Sequence, residues 1–167
     1  MGDYKPKEEM VNSQKVSICN IKPEESKIVS ELIRQDVRKI NSRDINKNQE
    51  KAWERYYSPR RVKKFIKEMS CFEVKKGKKI LGVVFFDHGE LEALYVRTGF
   101  VGRGMGTRLL KFIESFAKKN EFKKIKLISS KFAEDFYKNN RYKYIKPAYP
   151  SLFGIKFHEA WMEKMLK

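Results

Sequence analysis

Two cysteines and two histidines among 167 residues leave metal and disulfide chemistry little to work with. Cys19 and Cys71 lie far apart, and neither has a second Cys or His at ligand spacing, which argues against a zinc site. Both are expected to be reduced, buried small hydrophobes. His88, in the turn sequence Asp87-His88-Gly89, and His158, at the start of a strand, have no carboxylate or cysteine placed for a triad, so both read as surface residues. No metal is expected. Long hydrophobic runs are missing as well: no stretch approaches the ~18 apolar residues of a membrane span. Met1–Gln14 is charged and lacks the apolar centre of a secretory leader. Gly2 is no myristoylation site, because that motif asks for Ser or Thr where Pro6 stands. The expectation is a soluble, cytoplasmic protein without membrane contact.

Acid is scarce, with 21 Asp and Glu against 38 Lys and Arg and a net charge of +17. Such a balance fits a nucleic-acid or acidic partner, or only a lysine-rich solvated surface. Most of it falls on outer faces. In Pro59–Met69, Val62, Phe65, Ile66 and Met69 recur at helical spacing, which turns Arg60, Arg61, Lys63, Lys64 and Lys67 to solvent. Lys118, Lys119, Lys123, Lys124 and Lys126 surround a helix end, where cations complement the dipole. No recognised binding module accompanies the charge, so nucleic acid is not expected as the main partner.

The length suits one domain with a sizeable core. Residues 1–15 are expected to be a flexible tail and residues 16–167 a single domain, without repeat or linker. Val16–Ile21 alternates as a half-buried strand, and Pro23-Glu24-Glu25 opens a helix running to about Ile40 with Ile28, Val29, Leu32, Ile33 and Val37 as its apolar stripe. A polar stretch then leads through Trp53, Tyr56 and Tyr57 to the basic helix. From Cys71 the period becomes that of strands: Cys71–Val74, Ile80–Phe86 and Glu90–Val96, separated by good turn sequences. Leu109, Leu110, Phe112, Ile113, Phe116 and Ala117 mark a long helix. A strand at Lys124–Ser129, a short helix at Phe132–Asn139 and strands at Tyr142–Ala148 and His158–Met165 complete the chain.

Between the strand ending at Val96 and the long helix lies Val101-Gly102-Arg103-Gly104-Met105-Gly106-Thr107. Glycines let a backbone approach a ligand closely, and the first N–H groups of a helix, with its dipole, attract phosphate oxygens. It is not a Walker loop, because no Gly-Lys-Ser or Gly-Lys-Thr follows, nor a dinucleotide fingerprint, because Leu109 replaces the third glycine. On its own it also fits a purely structural turn.

Its surroundings are more specific. Leu94-Tyr95-Val96, the Gly102–Gly106 turn, and Ala133-Glu134-Asp135-Phe136-Tyr137 at the expected distance together resemble the GNAT superfamily of N-acetyltransferases, over roughly residues 16–166. Two departures stand out: Val101 holds the position usually given to Arg or Gln, and Asn140-Arg141-Tyr142 stands where the family often has x-Gly-Phe. The resemblance implies an α/β (α+β) fold with a central, mostly antiparallel mixed sheet of about six or seven strands flanked by about four helices. It implies acetyl-CoA as co-substrate, with Leu94, Tyr95 and Val96 along the pantetheine arm and Val101, Gly102, Arg103, Gly104, Met105, Gly106 and Thr107 around the pyrophosphate. Arg103 and Arg108 either meet phosphates or face solvent.

Acyl transfer needs a neutral amine, and a lysine-like amine is protonated at pH 7 by about 4.6 kcal/mol. The resemblance implies a glutamate base at the position of Glu90, and Glu92 lies two residues on, on the same face if the strand is regular, so either is a candidate base. The alternatives are that the two carboxylates only attract a cationic substrate, or are solvated strand residues. Tyr137 matches the residue that protonates the leaving thiolate, or else packs beside Phe136 as core. Ser129 and Ser130 bond the cofactor or cap the helix. No cysteine is placed as nucleophile, so direct attack in a ternary complex is expected, with a small-molecule or protein amine as acceptor and a monomer or homodimer as the assembly. The alternative is a catalytically silent acyl-CoA-binding or regulatory module with a basic partner-binding surface. Acceptor walls are implied at roughly residues 35–60 and 147–158, which carry Trp53, Tyr56, Tyr57, Tyr149 and Phe153 but no readable code.

Overall fold

A computed structural model describes residues 7–11, 14–39 and 43–167. Its strands are β1 (Lys7–Val11), β2 (Gln14–Asn20), β3 (Ser70–Lys76), β4 (Lys79–Asp87), β5 (Glu90–Val96), β6 (Lys124–Ser129), β7 (Lys143–Ala148), β8 (Ser151–Leu152), β9 (Ile155–Lys156) and β10 (Glu159–Met165). Its helices are α1 (Ser26–Lys39), α2 (Lys47–Tyr56), α3 (Pro59–Glu68), α4 (Met105–Lys119) and α5 (Glu134–Asn139). Eight strands form one sheet in the order β1-β2-β3-β4-β5-β6-β10-β7, and β8 pairs with β9 in a separate hairpin. Every neighbouring pair in the large sheet is antiparallel except β5 with β6. That single parallel contact is where the site forms.

Apolar residues on the two sides of the strands build two cores. One joins Phe72, Val84 and Leu91 to Leu109, Leu110 and Ile113 of α4. The other joins Val83, Phe85 and Ala93 to Val29, Leu32 and Ile33 of α1 and Val62 and Phe65 of α3. Burial on both faces explains why β4 reads as a continuous apolar run.

Three elements differ from expectation. Residues 7–11, expected in a tail, form edge strand β1, with Lys7 opposite Ile18 and Val11 opposite Gln14. Strand addition uses backbone groups and needs no apolar run, so charge content alone does not exclude it; residues 1–6 and 12–13 lie outside the described residues. The stretch around Trp53 is a full helix, because Asn46 Oδ1 accepts from the N–H groups of Asn48 and Gln49, while Gln49 Oε1 accepts from the Asn46 N–H, closing a capping box. Pro150 is followed by the β8–β9 hairpin, turning at Phe153-Gly154. Cys71 is buried as expected, whereas Cys19 is only half-buried.

Arg141 occupies a left-handed conformation, φ 69°. It closes α5 in a Schellman cap: the Tyr142 N–H donates to Tyr137 O at 3.0 Å and the Arg141 N–H to Lys138 O at 2.9 Å. A side chain there costs free energy that glycine avoids. Arg141→Gly is therefore expected to stabilise the fold by about 1 kcal/mol, raising Tm by ~2–4 °C in thermal unfolding. An unchanged or lower Tm would show that the Arg141 side chain makes a compensating contact.

Candidate active site

β5 and β6 pair only at Glu90 with Lys126 and Leu91 with Leu127, and then diverge. A bulge in β5 accompanies the divergence: Leu91 lies opposite Phe86 and Ala93 opposite Phe85, leaving Glu92 without a partner on β4. The extra residue reverses the side-chain alternation, so Leu91 joins the α4 core while Ala93 and Tyr95 join the α1 core. The strand is thus not regular at this point; Glu92 lines the cavity and Glu90 does not. Beyond the bulge, the Arg97 N–H donates to Leu81 O on β4 at 2.8 Å. Alternation then turns the backbone groups of Leu94 and Val96 the other way, toward the gap opened by β6. Tyr95 keeps the parity of Arg97, so its backbone serves β4 rather than the open edge.

The loop after β5 delivers the N-terminus of α4 to the same gap. Gly104 is the N-cap, left-handed at φ 80° and ψ 0°, with no side-chain cap. The Arg108 N–H is the first to bond within the helix, donating to Gly104 O at 3.0 Å. The N–H groups of Met105, Gly106 and Thr107 precede it and so have no intrahelical acceptor. Gly106 sits in a tight place, since a Cβ there would lie 3.3 Å from Phe136 Cζ and 3.6 Å from Leu94 Cδ2. This close approach brings α4, α5 and β5 together.

A cavity of about 630 Å³ fills the gap. Of the residues expected at the site, Glu92, Leu94, Tyr95, Val96, Val101, Gly102, Gly104, Gly106, Thr107 and Tyr137 line it. Glu90, Arg103 and Met105 do not: Glu90 sits opposite Asp87 at the hairpin end, Arg103 lies over the Phe100 ring at 5.4 Å, and the Met105 side chain is buried in the α4 core. Ser129 and Ser130 line the β6 side. Ser129 Oγ donates to Ser130 O at 2.9 Å, and neither serine side chain caps the helical turn that follows.

Tyr137 is buried on α5, its ring edge-on to Phe136 at 5.1 Å and to Tyr142 at 5.6 Å. Burial pushes its phenol well above the usual tyrosine range, so it stays protonated at neutral pH. At the other end of the cavity Trp53 Nε1 donates to Tyr95 Oη at 2.9 Å, and Tyr57 packs edge-on to Tyr95 at 5.5 Å. Ser30 Oγ fixes the Tyr57 carbonyl at 2.6 Å. Asp36, from α1, and Glu159, from the start of β10, also line this end. Burial raises Glu159 to about 7. Glu92, which keeps solvent exposure, is raised as well, first by partial desolvation and then by the neighbouring charges of Glu90 and Asp87.

A family model described as an acetyltransferase (GNAT) domain matches residues 41–159. The chain belongs to the GNAT acetyltransferase family. Among solved structures, a GCN5-related N-acetyltransferase from Rhodopseudomonas palustris superimposes with a TM-score of 0.85 at 17% identity, covering 99% of each chain. PaiA N-acetyltransferase from Thermoplasma acidophilum, in complex with coenzyme A, gives 0.75 at 17% identity, over 90% of this chain and 98% of that one. YncA from Salmonella typhimurium, solved with acetyl-CoA, gives 0.61 at 14% identity, over 91% and 94%. No curated protein matches in sequence. The GNAT fold is thus shared where sequence is not.

In this GNAT domain the two departures have structural answers. Arg141 adopts the left-handed turn that glycine usually takes. Val101 is 48% exposed and lines the cavity, and the free N–H groups at the start of α4 beside it belong to the backbone. Sequence reasoning missed Asp36 and Glu159. Asp36 carried a signal, as an acid falling on the Val29–Leu32–Ile33 stripe of α1; Glu159 carried none beyond opening a strand. Among the described residues no group of three His, Cys, Asp or Glu could hold a metal, and no helix is long and apolar enough to cross a membrane.

Proposed function

We propose that this GNAT protein is an acetyl-CoA-dependent N-acetyltransferase that passes its acetyl group directly to an amine in a ternary complex. One arrangement carries the reading: an unpaired strand edge, an uncapped helix N-terminus and a buried phenol open onto one cavity. Acetyl-CoA fits these residues, because a Cβ added at Gly102 or Gly104 meets nothing within 4 Å and three helix N–H groups await acceptors. Bound there, it supplies an activated acetyl thioester.

The backbone groups of Leu94 and Val96 pair with the pantetheine amides as an added strand would. An N–H of the bulged segment stabilises charge on the acetyl oxygen, a contact worth ~3–4 kcal/mol. Glu92, directly or through water, takes the proton that the amine sheds, and the Tyr137 hydroxyl protonates the departing sulfur. A C–N bond forms as the C–S bond breaks, so an ammonium and a thioester become an amide, a thiol and one proton released to solvent. A cysteine nucleophile is disfavoured. Neither cysteine lines the cavity; burial, then Glu73, pushes the Cys19 thiol up to about 11, and burial pushes Cys71 higher still.

Isothermal titration with acetyl-CoA is expected to give micromolar binding, and mixing with a panel of amines to release thiol. Binding without thiol release from any amine would make the protein a silent acyl-CoA module. Folded protein that binds no acetyl-CoA would overturn the acetyltransferase reading.

A further inference from the structure

The chain carries 38 basic residues against 21 acidic ones, yet the charged residues lining the cavity are Asp36, Glu92 and Glu159, all acidic. Among the described residues, Glu92 and Glu159 make no ion pair, and the upward shift of Glu159 comes from burial alone. Holding the partly buried Glu159 carboxylate in this wall without a cation costs free energy, which a cationic ligand offsets. One carboxylate suffices to take the proton from a reacting amine. Glu159, which no cation meets among the described residues, calls for a second positive charge.

The rest of the wall favours a slender aliphatic molecule. Trp53, Tyr56, Tyr57 and Phe157 line it, offering ring faces that suit both methylenes and ammonium groups. The β8–β9 hairpin closes the acceptor end against α2. There Gln49 Nε2 donates to Lys156 O at 2.9 Å and the Arg55 guanidinium lies 4.1 Å from the Phe153 ring centre. Pro150 and Leu152 of this segment form the wall itself. Such a roof suits a small molecule better than the surface of a folded protein. An amino acid would bring its own carboxylate against like charges.

We infer that the acceptor is a small aliphatic diamine or polyamine, one nitrogen reacting beside Glu92 while a second ammonium rests against Glu159 and Asp36. The inference rests on the acetyltransferase reading. Thiol release with putrescine and spermidine, against butylamine, tests it at pH 8, above the value near 7 to which burial raises Glu159. Putrescine and spermidine are expected to exceed butylamine in kcat/KM by roughly tenfold or more, the equivalent of one partly desolvated charge contact. Glu159→Gln should shrink that ratio severalfold and leave acetyl-CoA affinity unchanged. The ratio is taken within each protein, so any loss of folded material cancels; Asp36→Asn provides a second reading. Equal rates for butylamine and putrescine in the parent, or an undiminished ratio in both variants, would overturn the inference. Calorimetric binding of putrescine and butylamine to the parent, which needs no turnover, separates the two claims. Thiol release without putrescine preference removes the dication and keeps the enzyme; putrescine preference without thiol release removes the enzyme and keeps the cation site.

Discussion

Tyr137→Phe is expected to lower kcat by roughly 10²–10³-fold at pH 7, the range of a positioned general acid, with acetyl-CoA affinity little changed. The residue is well held. Its carbonyl accepts the Tyr142 N–H in the cap that ends α5, and its ring packs edge-on between Phe136 and Tyr142. Phenylalanine keeps those ring contacts, so the substitution removes one hydroxyl from a cavity-lining side chain and little else. The direction of the pKa shift also matters. A phenol raised by burial remains a proton donor across neutral and mildly alkaline pH, so Tyr137 by itself should cause no fall in rate between pH 7 and 9. A variant retaining more than about a third of parental kcat would return Tyr137 to a packing role, since general acids contribute far more than that.

The features legible in the sequence are those fixed by neighbours along the chain. Glycine spacing between Val96 and Leu109 marks a strand-to-helix turn whatever the rest of the fold, and the 3.6-residue stripe of α4 needs only its own side chains. The site's decisive geometry depends instead on register between strands. Glu92 bulges because Leu91 and Ala93 face successive residues of β4, a two-against-one count that β5 does not encode alone. Two consequences followed: Glu92 lines the cavity while Glu90 sits opposite Asp87 outside it, and Tyr95 turns its side chain into the cavity wall beside Trp53. Glu159 reaches that wall because β10 inserts between β6 and β7, a contact between residues far apart in sequence. The capping box at Asn46 was readable by spacing, and would have given α2 its full length. Strand β1 was not, because edge pairing leaves no apolar signature.

Gly104→Asp is expected to weaken acetyl-CoA binding by about 100-fold or more in isothermal titration, by placing a carboxylate in the proposed phosphate cradle. At a separation of 4 Å, each pair of unit charges repels by about 1 kcal/mol in water and ~4 kcal/mol near a protein surface, and a pyrophosphate presents more than one. The folded chain can accommodate the substitution, because a Cβ at Gly104 meets nothing within 4 Å. The left-handed backbone at φ 80° remains a cost, of order 1 kcal/mol, though Asp tolerates it better than most residues. Gly104→Ala imposes a backbone cost at least as large without charge, so any further loss of affinity in the Asp variant is owed to repulsion. Salt supplies a second axis: rising ionic strength screens the carboxylate and should narrow the gap between Asp and Ala. Equal affinity in the two variants would move the pyrophosphate away from the α4 N-terminus. The uncapped N–H groups of Met105, Gly106 and Thr107 would then need another ligand, and the exposed lysines and arginines would become the leading candidates for holding coenzyme A.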